Sequence, residues 1–382
     1  MNFEFATATR IYFGVGKSAE IGAVAAPFGA QAVLIGNPAR SREILATLQA
    51  HDIMATVFAP EGEPTINVVS ECVSVIRDVK ADMVIGCGGG SALDLAKAAA
   101  VLAVHEGEAL DYLEVIGQGK TLTKPSIPVI AVPTTAGTGS EVTANAVISV
   151  PEQQLKVSLR SPFMLPRAAI IDPALTLMLP ERMTVFTGMD ALTQVIEPFV
   201  SLKANPITDA LCSEGITRVG MSLQIAVEQP DDLEARADMA LAALLGGMAL
   251  ANAKLGAVHG FAGVIGGMTS APHGAICAAL LSPVMRANLK ALSDREPRGR
   301  AVDRYQEIAI MLTGDPDAIP EDGVAWVAHL ANALSVPRLT ELGVHAADIP
   351  EIVKRAAGAS SMQGNPIKLT DDELAAVLES VL

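Results

Sequence analysis

The chain has 382 residues, half of them apolar and 18% charged, which is enough for about two domains with large buried cores. A formal net charge of −15 argues against nucleic acid and anionic membrane surfaces as partners. Aromatic residues make up only 3%, and the abundance of Ala, Val, Leu and Gly suits closely packed helices and buried parallel strands rather than an antiparallel sandwich.

The N-terminus, MNFEFATATRIYFG, has neither the basic flank nor the apolar run of a signal peptide. Strands are expected at Gln31–Gly36, Met83–Gly86 and Pro128–Val132, and helices at Ser41–His51 and Ile66–Lys80. Strands alternating with helices predict an α/β domain built on a parallel sheet, and their near-continuous apolar runs fit strands covered on both faces. From Glu181 to Leu382 apolar residues recur at helical spacing, which predicts an all-helical second half. The expected domains are therefore 1–180 and 181–382, with Pro180 at the junction. Met239–Met268 is almost wholly apolar but contains Asn252, Lys254 and His259, so it reads as a buried helix, a loop and a second helix rather than a membrane span. Cys72, Cys87, Cys212 and Cys277 form no C-x-x-C pair and read as small buried hydrophobes in a reducing, cytoplasmic compartment.

Two segments of the first half carry chemistry. GCGGGSALDLAKAAA, from Gly86 to Ala100, places successive glycines between a strand and an Ala-rich helix. Such a turn brings backbone N–H groups and a positive helix end close to a phosphate. Ser91 is positioned to cap that helix or bond a phosphate oxygen, and Asp94 sits at a capping-box position. The pattern is neither G-x-G-x-x-G nor a P-loop, so a plain capped turn is the competing reading. After the next strand, AVPTTAGTGSEVT offers Thr134, Thr135, Thr138 and Ser140, hydroxyls able to bond phosphate, ribose or a nicotinamide amide. Two such loops in one α/β half favour a dinucleotide.

In the second half, TGMDALTQVIEPFVS sets Asp190 and Gln194 on one helix face, and VHG and APHG supply His259 and His273. A carboxylate and two imidazoles are competent ligands for Fe(II) or Zn(II), and the Gln194 carbonyl is a weaker fourth. Taken singly, each histidine reads more readily as structural.

These motifs, in their order and spacing from FATATRIYFGVG through GGGSALDLAK, PTTAGTGSEVT, Lys156, IDPAL, TGMDALT, AVHG and APHG to Gly364–Asn365–Pro366, resemble the iron-containing (group III) alcohol dehydrogenases over nearly the whole chain. The resemblance implies an NAD- or NADP-dependent alcohol dehydrogenase or aldehyde reductase, acting on a small alcohol or aldehyde as a homodimer or larger assembly. By position, Gly89, Gly90 and Ser91 would hold the pyrophosphate, Thr134, Thr135, Thr138 and Ser140 would line the nucleotide with Asp94 nearby, and Lys156 would reach the ribose. Asp190, His259 and His273 match three of the family's four ligands for Fe(II) or Zn(II).

Three positions depart from the family pattern. Gln194 stands where a ligand histidine is usual, which lowers the expected metal affinity. Gly263 stands where many members carry a further histidine. Asn37 replaces the common Asp that meets the adenosine ribose; with Arg40 and Arg42 nearby, it makes NADP admissible. With a metal, the carbonyl oxygen meets a Lewis acid; without one, His259 or His273 is the expected donor. Competing readings are a metal-independent oxo-acid reductase like maleylacetate reductase, a lyase like dehydroquinate synthase, and a nucleotide binder without catalysis.

Overall fold

The computed structural model describes residues 2–60, 62–113, 116–153 and 155–382. Two compact units emerge. An α/β unit comprises Ala6–Thr135 and Gly139–Met178; a helical unit comprises Leu179–Leu382, together with Ala136–Thr138 and the N-terminal residues up to Phe5.

The α/β unit runs β1 (Ile11–Phe13), α1 (Ile21–Ala25), β2 (Gln31–Gly36), α2 (Arg42–Ala50), β3 (Met54–Phe58), α3 (Ile66–Asp78), β4 (Met83–Gly88), α4 (Gly90–Leu102), α5 (Ala109–Tyr112), β5 (Val129–Pro133), β6 (Asn145–Val150), β7 (Leu155–Arg160) and β8 (Ala168–Ile171). Six of the strands form one sheet in the order β1-β8-β5-β4-β2-β3, and every pairing is parallel. The other two, β6 and β7, pair antiparallel as a separate hairpin.

Alternation along β2 explains its apolar run. Val33 and Ile35 enter a core shared with α3 and α4, whereas Ala32 and Leu34 enter a second core shared with α1 and α2. Strands β2, β4 and β5 and helices α2 and α3 lie where the sequence predicts them. By contrast β1, β3 and β8 lack a local signal. The first and last are only three and four residues long, and β3 is an edge strand with an alternating, half-exposed pattern.

Helix α4 is buried on nearly every side, with Ala96, Ala98, Ala99 and Ala100 fully enclosed. Small side chains let it approach the sheet closely: a Cβ on Gly86 would stand 3.0 Å from that of Ala96. The connection from β2 leads outward to β3 and then returns to β4 on the other side of β2. That reversal is a topological switch point, the place where open α/β sheets bind ligands beyond the carboxyl ends of their strands. Here those ends are Gly36 of β2, paired with Cys87 of β4, and the glycine turn after β4.

The helical unit contains α6 (Glu181–Val200), α7 (Pro206–Glu228), α8 (Leu233–Ala253), α9 (Ala257–Thr269), α10 (His273–Arg295), α11 (Arg300–Thr313), α12 (Pro320–Ala333), α13 (Ile349–Ala357) and α14 (Asp371–Glu379), with no strand among its described residues. Helix α6 is its axis. Nearly every residue from Thr184 to Val200 is buried, with α7, α8 and α10 packed around it. Between α8 and α9 the chain bends by 99°, as the helix–loop–helix reading of Met239–Met268 anticipates. Helix α10 is long and apolar enough to cross a membrane, but 83% of its apolar window is buried, which makes it a core helix.

Asp172, directly after β8, anchors the N-terminal turn. Its carboxylate accepts from the Gly16 amide (3.1 Å), the Ser18 amide (3.0 Å) and the Ser18 hydroxyl (2.6 Å), and caps its own turn through the Ala174 amide (3.1 Å). Asp172→Ala leaves these donors without acceptors and is expected to cost about 2–4 kcal/mol. Urea unfolding checks this; a midpoint equal to that of the wild type would refute it.

Candidate functional site

In the α/β unit the glycine turn closes β4 at Gly88 and starts α4 at Gly90, with Gly89 as an extended N-cap. No side chain caps the helix. Ser91 is exposed rather than capping, and of the first-turn amides that of Ala92 already donates to the Gly89 carbonyl (3.0 Å). Gly88 cannot be replaced without a clash, since a Cβ there would lie 2.7 Å from that of Ala92. The hydroxyl-bearing loop begins beside this turn: the Thr134 amide donates to the Gly88 carbonyl (2.9 Å), and a Cβ on Gly89 would come within 3.3 Å of the Thr135 methyl.

Asp94 does not complete a capping box. One of its oxygens accepts from the Ser140 hydroxyl (2.5 Å) and the other from the Val147 amide (2.8 Å), tying α4 to the loop and the hairpin. Lys97, fully buried one turn further along, completes the tie. Its ammonium lies 3.1 Å from Asp94 and donates to the Ser140 carbonyl and the Thr143 hydroxyl, each at 2.9 Å. Burial pulls the Lys97 pKa down, and Asp94 opposes that pull. Lys156 pairs with Glu63 at 2.7 Å. At the end of β2, Asn37 uses its carbonyl to accept from the Ala39 (2.9 Å) and Arg40 (3.3 Å) amides, and Asn37, Arg40 and Arg42 are all exposed. Thr138 belongs with the helical unit, where a Cβ on neighbouring Gly137 would fall 2.8 Å from Thr187 of α6.

The helical unit brings together the residues expected at a metal. Asp190 comes from mid-α6, His259 from the first turn of α9 and His273 from the start of α10. His259 Nε2 lies 3.4 Å and His273 Nε2 3.8 Å from Asp190 Oδ1, and the two imidazole rings are 5.3 Å apart. Cys277, one turn beyond His273, joins them: one donor atom from each of the four residues lies within 4.8 Å of every other. Asp190 Oδ1, Gln194 Oε1 and His259 Nε2 are buried without a hydrogen-bond partner. Buried polar atoms are nearly always satisfied, and a cation would satisfy a carboxylate, an amide oxygen and an imidazole lone pair together. The donor set therefore fits a divalent metal. Gly263, one turn along α9 from His259, opens onto free space, with nothing within 4 Å of a Cβ built there.

A second layer holds this cluster. Glu197, two turns after Asp190 on α6, accepts from His259 Nδ1 (2.7 Å) with one oxygen and from the Val258 amide (2.7 Å) with the other. Asn365 reaches the Ala257 amide (3.2 Å) and exchanges side-chain bonds with Asn288. Gly256 is required between them, because a Cβ would sit 2.9 Å from Glu197 Oε1 and 3.0 Å from Asn365 Oδ1. Burial disfavours the His259 cation, but Asp190 and Glu197 outweigh it and push its pKa up from 6.5 to about 9. Burial also opposes ionisation of Asp190, which the two imidazoles and Gln194 overcome, holding its carboxyl below the ordinary value. Burial, reinforced by Asp190 and Glu197, pushes the Cys277 thiol well above its usual range.

Sequence reading missed Glu197, Cys277 and Lys97. Spacing carried a signal for each: Glu197 is seven residues after Asp190, Cys277 four after His273 and Lys97 three after Asp94, all repeats that return to one helix face.

Residues 8–173 match the family described as iron-containing alcohol dehydrogenase, and residues 184–382 match the C-terminal domain of the Fe-containing alcohol dehydrogenase family. The chain is 36% identical over 334 residues to alcohol dehydrogenase 4 of Saccharomyces cerevisiae, covering 87% of this chain and 84% of that protein. It is 37% identical over 320 residues to 1,3-propanediol dehydrogenase of Klebsiella pneumoniae, covering 83% and 80%. Among solved structures, a 1,3-propanediol oxidoreductase superposes with a TM-score of 0.93 at 32% identity, and an alcohol dehydrogenase from Oenococcus oeni with 0.91 at 31%, both over the full length of the two chains.

The raised His259 pKa has a consequence for the metal-free protein. Its folded value of about 9 exceeds the ordinary 6.5, so the protonated imidazole stabilises the fold fully below about 6.5, and that contribution is lost as pH rises through about 9. The wild-type Tm is therefore expected to fall across this window, and Glu197→Gln to flatten the fall. Parallel Tm–pH curves for the two proteins would contradict it.

Proposed function

The chain belongs to the iron-containing alcohol dehydrogenase family and is an alcohol oxidoreductase, and from that premise we propose that it interconverts a small alcohol and its aldehyde with NAD or NADP, at a divalent metal held by Asp190, His259 and His273. The observation that carries this reading is the convergence of two buried atoms without partners, Asp190 Oδ1 and His259 Nε2, on a third side chain, His273. A metal-free oxo-acid reductase would leave Asp190 Oδ1 and His259 Nε2 facing each other across 3.4 Å, longer than an ordinary N–H···O bond, which counts against that alternative.

When bound, the nicotinamide supplies the hydride and Fe(II) or Zn(II) supplies Lewis-acid polarisation of the substrate oxygen. The chain's own residues do the rest. The uncapped start of α4, with Gly89, Gly90 and Ser91, receives the pyrophosphate through backbone amides. Thr134, Thr135 and Thr138 line the nucleotide, while Ser140 and Asp94 act by holding the loop in place. Lys156 reaches the ribose by exchanging its bond to Glu63. Asp190 supplies negative charge at the metal, and Glu197 fixes the His259 tautomer so that Nε2 presents its lone pair. His273, whose side chain is 37% exposed, would hold the metal from the side that water and substrate can reach. Gln194 adds only a neutral oxygen.

The exposed Asn37, with Arg40 and Arg42, supports use of NADP as well as NAD, since no carboxylate stands there to repel a 2′-phosphate. The same proposal places the enzyme in the cytoplasm, where its four free, buried cysteines stay reduced, and makes it a homodimer, tested by its mass in solution.

Turnover with a panel of small aldehydes and either reduced coenzyme tests the reading. Activity is expected to be lost on chelation and restored by Zn(II) or Fe(II), and Asp190→Ala is expected to lower kcat/KM by about a hundredfold or more. Full activity of Asp190→Ala under chelation would remove the metal from the mechanism, and failure to bind either coenzyme would remove the assignment. Asn37→Asp is expected to cut the NADP:NAD ratio of kcat/KM by about tenfold through charge repulsion; an unchanged ratio would exclude Asn37 from cofactor choice.

A further inference from the structure

Cys277 lies in the wall of the candidate metal site, and its role there rests on the reading that a metal binds at Asp190, His259 and His273. We propose that Cys277 Sγ is a protein ligand of that metal, taking the place of the imidazole that Gln194 does not supply, and that the resulting Asp–His–His–Cys set favours zinc over iron.

Geometry carries the inference. A tetrahedral zinc ion with Zn–N near ~2.1 Å and Zn–S near ~2.3 Å has edges of about 3.4 Å between nitrogen or oxygen ligands and about 3.6 Å between nitrogen and sulfur. In the protein His259 Nε2 is 3.4 Å and His273 Nε2 3.8 Å from Asp190 Oδ1, and Cys277 Sγ is 3.6 Å from His273 Nε2. Three of the six edges are thus near the lengths of one coordination polyhedron, and every other pair of donor atoms lies within 4.8 Å. Two further observations point to a ligand rather than to a chance cluster. Asp190 Oδ1 and His259 Nε2 are enclosed with no partner, and Cys277 is wholly buried. His259 is also fixed from behind by Glu197, as metal-bound imidazoles commonly are. His273 and Cys277 are four residues apart at the start of α10, so one helix turn presents both atoms from the same face. Binding forms one metal–sulfur bond and releases the thiol proton to solvent; nothing is oxidised or reduced. A thiolate is a soft donor, which biases the set toward zinc, whereas an all-nitrogen-and-oxygen set suits Fe(II) as well.

Cobalt(II) is the probe. The purified full-length protein is stripped with chelator, loaded with Co(II), dialysed, and measured for retained cobalt and for a near-ultraviolet thiolate-to-cobalt charge-transfer band. The wild type is expected to show the band, Cys277→Ser and Cys277→Ala to lose it, and Gln194→Ala to keep it. Zinc affinity, measured against a chromophoric chelator, is expected to fall about tenfold or more in Cys277→Ala. Loading from equimolar Zn(II) and Fe(II) without oxygen should leave mostly zinc in the wild type and a lower zinc:iron ratio in that variant. Cobalt retained by the wild type without the band, or a band that survives Cys277→Ala, overturns the role of Cys277 and leaves the metal centre standing. No retained cobalt overturns both. The wild-type spectrum decides the question even where a variant fails to fold.

Discussion

The helical unit depends on how it keeps charge inside an apolar core. Asp190, Glu197 and His259 are all buried, and an isolated ionised side chain in such a place would be strongly unfavourable. The solution is reciprocal. Glu197 takes a proton donor from the His259 ring and a backbone amide from the start of α9, so one carboxylate both orients the imidazole and satisfies the opening of its helix. Asn365 supplies an acceptor to the neighbouring amide and is itself fixed by Asn288. What this scaffold leaves unsatisfied is one edge of Asp190 and the outward nitrogen of His259, a residual deficit that a divalent cation would fill.

A similar constraint governs the α/β unit, though the elements differ. A glycine turn can offer bare amides only if the segment beside it is held in place, and here the hold comes from an ion pair whose lysine is buried. Asp94 and Lys97 on α4 hold the Ser140 and Thr143 segment, so the hydroxyl-bearing loop is fastened to the helix that the glycine turn opens. Removing Asp94 would strand the Lys97 ammonium as a buried charge, a far larger effect than losing a surface pair. Of the residues that read as cofactor contacts, Asp94 and Ser140 spend their polar groups on each other and so hold backbone in place.

Much of this architecture is legible in the sequence because its signals are local. β2, β4 and β5 are apolar runs covered on both faces, and α6 and α8 keep apolar residues at helical spacing for many turns. The glycines at the start of α4 stand out as an unbroken run of three, and the structure needs them for close approach rather than for a positive φ: a Cβ on Gly88 would lie 2.7 Å from that of Ala92. β1 and β8 escape notice because they are short and are defined by a partner strand far along the chain: Tyr12 pairs with Ile170. The β6–β7 hairpin, six residues in each strand, alternates buried with more exposed positions and lacks the continuous apolar run of the central strands.

The sequence by itself determined the alternation of strand and helix, the turn that would meet a phosphate, and the Asp190, His259 and His273 donors, since each is a matter of residue type at short spacing. Only the tertiary structure decided what those residues touch. Ser140 lies 46 positions from Asp94 and Glu197 lies 62 from His259, so their pairing is set by how separate elements pack and leaves no local trace. For that reason Asp94 serves as a clasp rather than a cap, and Cys277, alone among four similar-looking cysteines, lies beside two histidines and a carboxylate.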